Sequence, residues 1–362
     1  MYILIVVLAF YADNLRKKEV SRINIDGKLM NKGSSIILFL IGSILLLLAG
    51  LRFYVGTDYG TYMNLQIPET LSGMKNVVEF GYSKIIFLGA SMGNFQWIFV
   101  ITHLIIIFFI MMALWKSSIS YGWSIFLLCF GAFFNFSMSG MRQSIAGAIF
   151  LFSLYYLFNK KIINYIILIF FAFLFHKSAL VFLPLIIFRF IPFKKSYYVA
   201  IIISGYILRF LVPGVLLFIF NNLGFYEGYL TTTLNSTGTS KTFLISIIPI
   251  TFMILCINFR DLKDNKEQEI IGVLSYIQAI SVIVVLYSTI IPQYERIFYM
   301  FSFSNIILIG YLFKNISSSL RNKISIAFII IYLIVFLQLV MLKGGIGTYP
   351  YRSILNIYKD IF

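Results

Sequence analysis

Long apolar runs recur along the whole 362-residue chain and constrain its fold more than any other feature. Runs such as 34–51, 95–115 and 243–259 approach the ~20 residues that a helix needs to cross the hydrocarbon core of a bilayer. Backbone N–H and C=O groups find no water in lipid, so only helices or closed barrels satisfy them there. The runs are continuous and do not alternate with polar residues, which excludes a barrel. The sequence therefore predicts an all-α, polytopic integral membrane helical bundle.

We predict about twelve transmembrane helices in a single transmembrane domain that covers residues 1–362. The first apolar run lacks the basic start of a cleaved signal peptide, since its basic cluster follows it, so we interpret it as a retained first span. The predicted spans are 1–14, 34–51, 95–115, 119–138, 142–158, 162–175, 178–191, 197–219, 243–258, 270–291, 297–313 and 323–341.

Composition and charge distribution exclude the other broad classes. Only 12% of the residues are charged, about half of the fraction in a soluble domain. The net charge of +16 is compatible with a nucleic-acid-binding protein. The basic residues, however, lie between apolar runs and form no single basic stripe, which excludes that class. The two cysteines, Cys129 and Cys256, lie inside apolar runs, so a disulfide framework is not expected.

The positions of lysine and arginine predict the orientation of the bundle. The loop 13–33 carries six of them, and the positive-inside rule makes it cytoplasmic. Alternation of the spans then assigns every other loop, and the six cytoplasmic loops together hold 18 of the 29 basic residues. Both termini are predicted to lie outside. The outer face receives a first large loop, 52–94, which contains an apolar interfacial segment at 77–88, and a second loop, 221–242.

Four polar clusters fall on this predicted outer face. Each cluster also has a purely structural interpretation, because arginine and tyrosine commonly anchor helices at membrane interfaces. Asp58 beside Arg52 fits a structural ion pair, and His176 alone fits a hydrogen-bonded interfacial histidine. Arg209, inside an apolar span, either snorkels outward or faces a polar cavity. The clusters are 52–62, 139–143, 176–178 and 293–299.

Signals for nucleotide or metal chemistry are missing from the sequence. No glycine-rich phosphate loop and no Asp-x-Asp pair occurs, and the chain has only two histidines, of which His103 lies mid-span. A histidine-based metal centre is therefore not expected, and neither a metal nor another cofactor is predicted.

Three of the clusters resemble the signatures of the EpsG-like, Wzy-type polysaccharide polymerases. The strings are LRFYVGTDY at 51–59 with Tyr62, SGMRQSIA at 139–146 and FHKSAL at 175–180, and Arg296 with Tyr299 resembles a weaker late signature. The resemblance implies a metal-independent glycosyltransferase that polymerises undecaprenyl-diphosphate-linked repeat units into O-antigen, capsule or exopolysaccharide. It also implies an active site on the outer face of a bacterial cytoplasmic membrane, with the lipid-linked oligosaccharide, the bilayer and a chain-length regulator as partners.

The resemblance and the chemistry of a diphosphate leaving group together suggest site residues. Arginines can stabilise the charge that develops on the leaving group, and a carboxylate or histidine can deprotonate the acceptor hydroxyl. The candidate bases are Asp58, His176 and Glu295, with the first two favoured. The candidate substrate-binding residues are Arg52, Tyr59, Tyr62, Arg142, Gln143, Arg209, Arg296 and Tyr299. A flippase of the same lipid-linked sugars, or a ligase that transfers finished polysaccharide, is the alternative function.

Overall fold

Helices make up the regular structure of the computed structural model, which describes residues 1–26, 32–211, 240–258, 262, 264–291, 293–342 and 345–355. The α-helices are α1 (Tyr2–Asp26), α2 (Lys32–Gly50), α3 (Phe80–Ser91), α4 (Gln96–Ser117), α5 (Tyr121–Phe130), α6 (Phe133–Ser139), α7 (Met141–Phe158), α8 (Ile162–Phe173), α9 (Lys195–Leu208), α10 (Ser240–Cys256), α11 (Asn265–Leu286), α12 (Tyr294–Ser302), α13 (Asn305–Asn315) and α14 (Ser318–Phe336). Short helical turns lie at Tyr59–Thr61, Tyr62–Gln66 and Ile67–Leu71, a 3₁₀ helix at Lys177–Arg189, and a π-helical turn at Leu337–Leu342.

The predicted all-helical membrane character is confirmed, but the count of twelve spans is not. In the described part of the chain, five helical segments are long and apolar enough to cross a bilayer, and the bent pairs α5–α6 and α12–α13 raise the number to seven. The five are Gly33–Gly50, Gln96–Ser117, Met141–Phe158, Asn265–Leu286 and Ser318–Leu342. Helices α8, α9 and α10 are apolar but shorter. Most of the predicted second outer loop, 221–239, lies outside the described residues.

The core is built around two helices. Helix α7 packs between α4 and α8, and most residues of α7 and of α11 are buried. Only five of the 25 residues in Ser318–Leu342 are buried, so the segment presents most of its apolar surface outward. The bend of 48° between α5 and α6 follows Ala132, whose φ of +60° interrupts the helix. This bend leads α6 to the Ser139–Gly140 turn, where α7 begins.

The short predicted span 178–191 forms a 3₁₀ helix. Its buried residues, Ala179, Phe182 and Leu185, recur every third position, which matches the three residues per turn of this helix type. A 3₁₀ helix rises ~2.0 Å per residue, so the 13 residues from Lys177 to Arg189 extend ~26 Å. This length approaches the ~30 Å of a hydrocarbon core. An α-helix with the same number of residues would extend only ~20 Å.

The loops that the charge rule assigns to the cytoplasm contact one another. The carboxylate of Asp13 accepts hydrogen bonds from the hydroxyl of Ser120 at 2.6 Å and from the backbone N–H of Tyr121 at 2.7 Å, where α5 begins. Near the end of α13, Lys314 pairs with Glu267 of α11 at 2.6 Å. Each contact therefore joins two chain segments that the charge rule assigns to the same face.

The C-terminal tail packs against the first outer loop. The N–H of Phe53 donates to the carbonyl of Arg352 at 3.0 Å, and the N–H of Gly56 donates to the carbonyl of Gly347 at 2.8 Å. Gly56 has a φ of +102°, and a Cβ there would lie 2.4 Å from the carbonyl oxygen of Met138. The tail, the first loop and the end of α6 thus meet at one point, which positions the segment leading to Asp58.

Candidate functional site

Glu79 lies at the centre of the polar residues on the predicted outer face. One carboxylate oxygen, Oε2, accepts a hydrogen bond from Nη1 of Arg142 at 2.5 Å. The other, Oε1, lies 3.2 Å from Nδ1 of His176 and 3.4 Å from the backbone nitrogen of Lys177. The side chain of Glu79 is 10% exposed. Glu79 therefore connects the second and third sequence clusters through a single carboxylate.

The local backbone explains how Glu79 reaches His176. Glu79 is extended and immediately precedes α3, the helix that corresponds to the predicted interfacial segment 77–88. The N–H of Gly81 donates to the carbonyl of Leu174 at 2.7 Å, and a Cβ at Gly81 would lie 2.8 Å from the same oxygen. This close approach between the start of α3 and the turn after α8 requires a residue without a side chain. It brings Glu79 beside the His176 turn.

The surroundings of Glu79 favour its ionised form. Burial alone would raise the pKa of this carboxyl, but the hydrogen bond with His176 and the positive charge of Arg142 outweigh the burial and lower the pKa to about 2. Glu79 is therefore negatively charged throughout the physiological pH range. It acts as a hydrogen-bond acceptor there and not as a proton acceptor.

A second ion pair joins the first and fourth clusters. Nη2 of Arg296 lies 2.9 Å from Oδ2 and 3.2 Å from Oδ1 of Asp58. Both side chains are partly exposed, at 41% for Arg296 and 23% for Asp58. The ion pair that the sequence suggested between Asp58 and Arg52 does not form, because Arg52 turns inward and Arg296 of α12 reaches Asp58 instead.

Two side chains connect the ion pairs into one cluster. Tyr62 interacts with Arg142 and lies within electrostatic range of Asp58. Burial raises the pKa of the Tyr62 hydroxyl, so this group stays neutral. The amide nitrogen of Gln143 donates to the backbone carbonyl of Arg296. These contacts hold the first turn of α7, with Arg142 and Gln143, close to Arg296 in the first turn of α12.

Arg52 is fully buried and occupies a different position from the other arginines. Its Nη1 lies 3.0 Å from Nε2 of His103, and its Nη2 donates to the sulfur of Met141 at 3.1 Å. The guanidinium also lies near the rings of Tyr59 and Phe99. These contacts tie the first motif to α4 and α7 beneath the ion-pair cluster.

The tyrosines selected from the sequence are mostly packing residues. Tyr59 is 1% exposed and stacks on Phe99 with ring centroids 4.6 Å apart. Tyr299 is also 1% exposed and stacks on Phe136 at 4.2 Å. Tyr54, which belongs to the first motif but not to the candidate substrate-binding residues, is 52% exposed and has a φ of +51°, a backbone conformation that is strained for an aromatic residue. Tyr54 is therefore the most exposed aromatic side chain of the first motif.

Two further candidates lie at helix ends. Glu295 belongs to the first turn of α12, one residue before Arg296, and its charge acts on the nearby Tyr299. Arg209 follows α9 and lies over the rings of Tyr206 and Phe210, at 4.7 and 5.1 Å. Within the described part of the chain, Arg209 contacts its own helix end and not the ion-pair cluster.

Sequence reasoning missed Glu79, although a signal was present. Arg142, His176, Lys177 and Arg296 gather positive charge on one face, and the first large loop contains few carboxylates that could balance it. A search for counter-charges in that loop would have pointed to Glu79. Within the described residues, no group of three histidine, cysteine or acidic side chains is arranged to hold a metal ion.

Comparison with known proteins gives a family match. A family model described as the EpsG family matches residues 35–353, a range that includes all members of the ion-pair cluster. No curated protein and no solved structure matches the chain significantly.

Proposed function

Because the chain belongs to the EpsG family, we propose that it is a membrane polysaccharide polymerase that joins oligosaccharide repeat units carried on undecaprenyl diphosphate. The observation that carries this proposal is the meeting of Arg142, Arg296 and His176 in one partly exposed cluster. Two arginines suit a diphosphate, and a histidine suits the deprotonation of a sugar hydroxyl.

The proposed reaction transfers the growing glycan from its lipid carrier to a new repeat unit. The acceptor hydroxyl forms a bond to the anomeric carbon of the growing chain and loses its proton to a base. The bond between that carbon and the diphosphate oxygen breaks, and the lipid diphosphate leaves with the electron pair. The enzyme must therefore stabilise a developing negative charge on the diphosphate and supply one proton acceptor.

Arg142 and Arg296 are the proposed diphosphate-binding groups. A guanidinium presents a planar fork of N–H donors that matches phosphate oxygens. Each of these arginines is paired with a carboxylate, Arg142 with Glu79 and Arg296 with Asp58. The partly exposed Asp58–Arg296 pair is the type of surface ion pair that contributes little to stability, so a diphosphate can replace the carboxylate at small cost.

His176 is the proposed base. Asp58 directs both carboxylate oxygens toward Arg296, an arrangement that suits orienting this arginine more than accepting a proton. Glu295, in the first turn of α12 directly before Arg296, remains the third candidate. With Nδ1 directed at Glu79, His176 retains its Nε2 as a proton acceptor.

The proposed setting is the outer face of a bacterial cytoplasmic membrane, with about twelve helices around the site. The basic loops on the opposite face support this orientation. The lipid-linked donor would lie with its prenyl chain in the bilayer and its diphosphate at the interface, beside the start of α7.

Reconstitution tests the proposal. The purified protein in liposomes, supplied with undecaprenyl-diphosphate-linked repeat units, should produce a ladder of polymer, and EDTA should leave the ladder unchanged. Activity that returns only with Mg²⁺ or Mn²⁺ would contradict the metal-independent mechanism.

A deletion strain distinguishes the alternative functions. Loss of a polymerase leaves single repeat units on the cell surface, whereas loss of a flippase leaves none. Loss of a ligase causes lipid-linked polymer to accumulate. A surface without any repeat units, or an accumulation of lipid-linked polymer, would contradict the polymerase assignment.

A further inference from the structure

We propose that Glu79 is a positioning residue that fixes the proton of His176 on Nδ1 and holds Arg142 at a set distance from it. This inference rests on the proposed function, because it assigns a role within the same site. Among the described residues, Glu79 is the carboxylate that contacts both side chains, each through a different oxygen.

The first part of the argument concerns the tautomer of His176. A neutral imidazole carries its proton on one nitrogen and accepts protons at the other. An ionised carboxylate can only accept hydrogen bonds, so its position 3.2 Å from Nδ1 favours the tautomer protonated there. Nε2 is then unprotonated and available to the acceptor hydroxyl. When Nε2 takes that proton, the adjacent negative charge of Glu79 stabilises the resulting imidazolium.

The second part concerns geometry. Oε1 of Glu79 faces His176 while Oε2 lies 2.5 Å from Nη1 of Arg142. The two residues are thus held by the two ends of one rigid carboxylate. The base and the diphosphate-binding arginine keep a fixed separation, which aligns the acceptor hydroxyl with the bond to the leaving group. Such alignment is worth large factors in rate, and an error of ~1 Å costs about a hundredfold.

The exposure of the partners argues against a purely structural role. The side chains of Arg142 and His176 are 22% and 23% exposed, so water can reach both of them. Glu79 itself is only 10% exposed, so its two contacts do stabilise the fold, but they are not what holds the local backbone in place. The backbone contact between Gly81 and Leu174, and not the charge of Glu79, holds α3 against the His176 turn. Removing that charge should therefore change catalysis more than folding.

A double-mutant cycle between Glu79 and His176 tests the proposal. The rates of polymerisation are measured for the full-length protein in liposomes, with Glu79→Gln, His176→Gln and both substitutions together. We expect Glu79→Gln to lower kcat about a hundredfold without raising the KM for the lipid-linked donor, since Arg142 keeps its charge and loses a competing carboxylate. We expect the double variant to be no slower than His176→Gln alone, because Glu79 acts through His176.

Glu69→Gln is the matched control. Glu69 lies in the same outer loop, and within the described part of the chain its carboxylate forms no hydrogen bond or ion pair. The Glu69→Gln protein should polymerise repeat units at the wild-type rate. If the Glu79→Gln protein does not accumulate in the membrane, Glu79→Asp replaces it in the same cycle. Aspartate keeps the charge but shortens the side chain, so this variant should retain more activity than any neutral replacement.

The outcomes separate this inference from the function on which it rests. A wild-type protein that forms no polymer overturns the proposed function and the role of Glu79 with it. Polymer from the wild type, combined with equal rates for Glu79→Gln and Glu69→Gln, overturns only the role of Glu79. Rate losses that multiply in the double variant, or a donor KM that rises as kcat falls, also overturn it.

Discussion

Replacing Arg142 with lysine tests the diphosphate-binding role of this cluster most directly. Arg142 lies in the first turn of α7 and directs Nη1 toward Glu79 at 2.5 Å. Its Nε is buried and has no hydrogen-bond partner among the described residues, so this part of the protein does not use every donor of the guanidinium. Lysine preserves the positive charge but replaces the planar fork with a single point charge.

The structure sets the expected size of the effect. The ammonium of lysine can keep the ion pair with Glu79 but cannot supply a second, fixed donor to a phosphate oxygen. A hydrogen bond to a charged group contributes about 1.5–3 kcal/mol. If that contact forms in the transition state, its loss lowers the rate roughly ten- to hundredfold. The Arg142→Lys protein should still insert and fold, since charge and side-chain length are nearly preserved.

Polymer formation from lipid-linked repeat units provides the assay, with thermal unfolding in detergent as the measure of folding. Arg352→Lys serves as the control, because the Arg352 side chain is exposed and only its backbone carbonyl contacts the first loop. A membrane-anchoring arginine needs only a long stem and a positive head. If Arg142→Lys polymerises at the wild-type rate, the diphosphate role is wrong and anchoring is the better explanation.

Three further predictions follow from the cluster and its orientation. Asp58→Asn should lower polymer yield per folded enzyme less than about tenfold, since it weakens one exposed ion pair worth at most ~1 kcal/mol; complete loss of polymer would make Asp58 the base. Glu79 has its pKa lowered to about 2 in the fold, so its stabilising contribution should be fully present above its ordinary pKa of about 4.5 and disappear as the pH falls toward 2. Thermal unfolding of wild type and Glu79→Gln at a series of pH values should therefore differ constantly above pH ~5 and converge below it; a constant difference down to pH 2 would contradict the pairing. Cysteine at Thr61 should react with an impermeant maleimide added outside spheroplasts, and cysteine at Asn265 should not; the reverse pattern would invert the orientation.

Several features of this protein follow from its sequence alone. The continuous apolar runs require helices in lipid, because a backbone without water must satisfy its own hydrogen bonds. The distribution of lysine and arginine predicts two faces for the loops, and the contacts of Asp13 and Glu267 join segments that are predicted to share a face. Helix formation and the assignment of loops to faces depend only on composition and on order along the chain. They can therefore be predicted without knowing which helices are neighbours.

Only the tertiary structure decided which charges pair. Glu79 and Arg142 are 63 residues apart, Glu79 and His176 97, and Asp58 and Arg296 238. The packing of α3, α7 and α12 brings these partners together, and no local pattern encodes it. The same packing buries Arg52 beside His103 and Tyr59 against Phe99, although all four types of residue occur at exposed interfaces elsewhere. Charge pairing acts over a few ångströms, so a loop sequence shows which residues are available, and the helix arrangement selects the ones that meet.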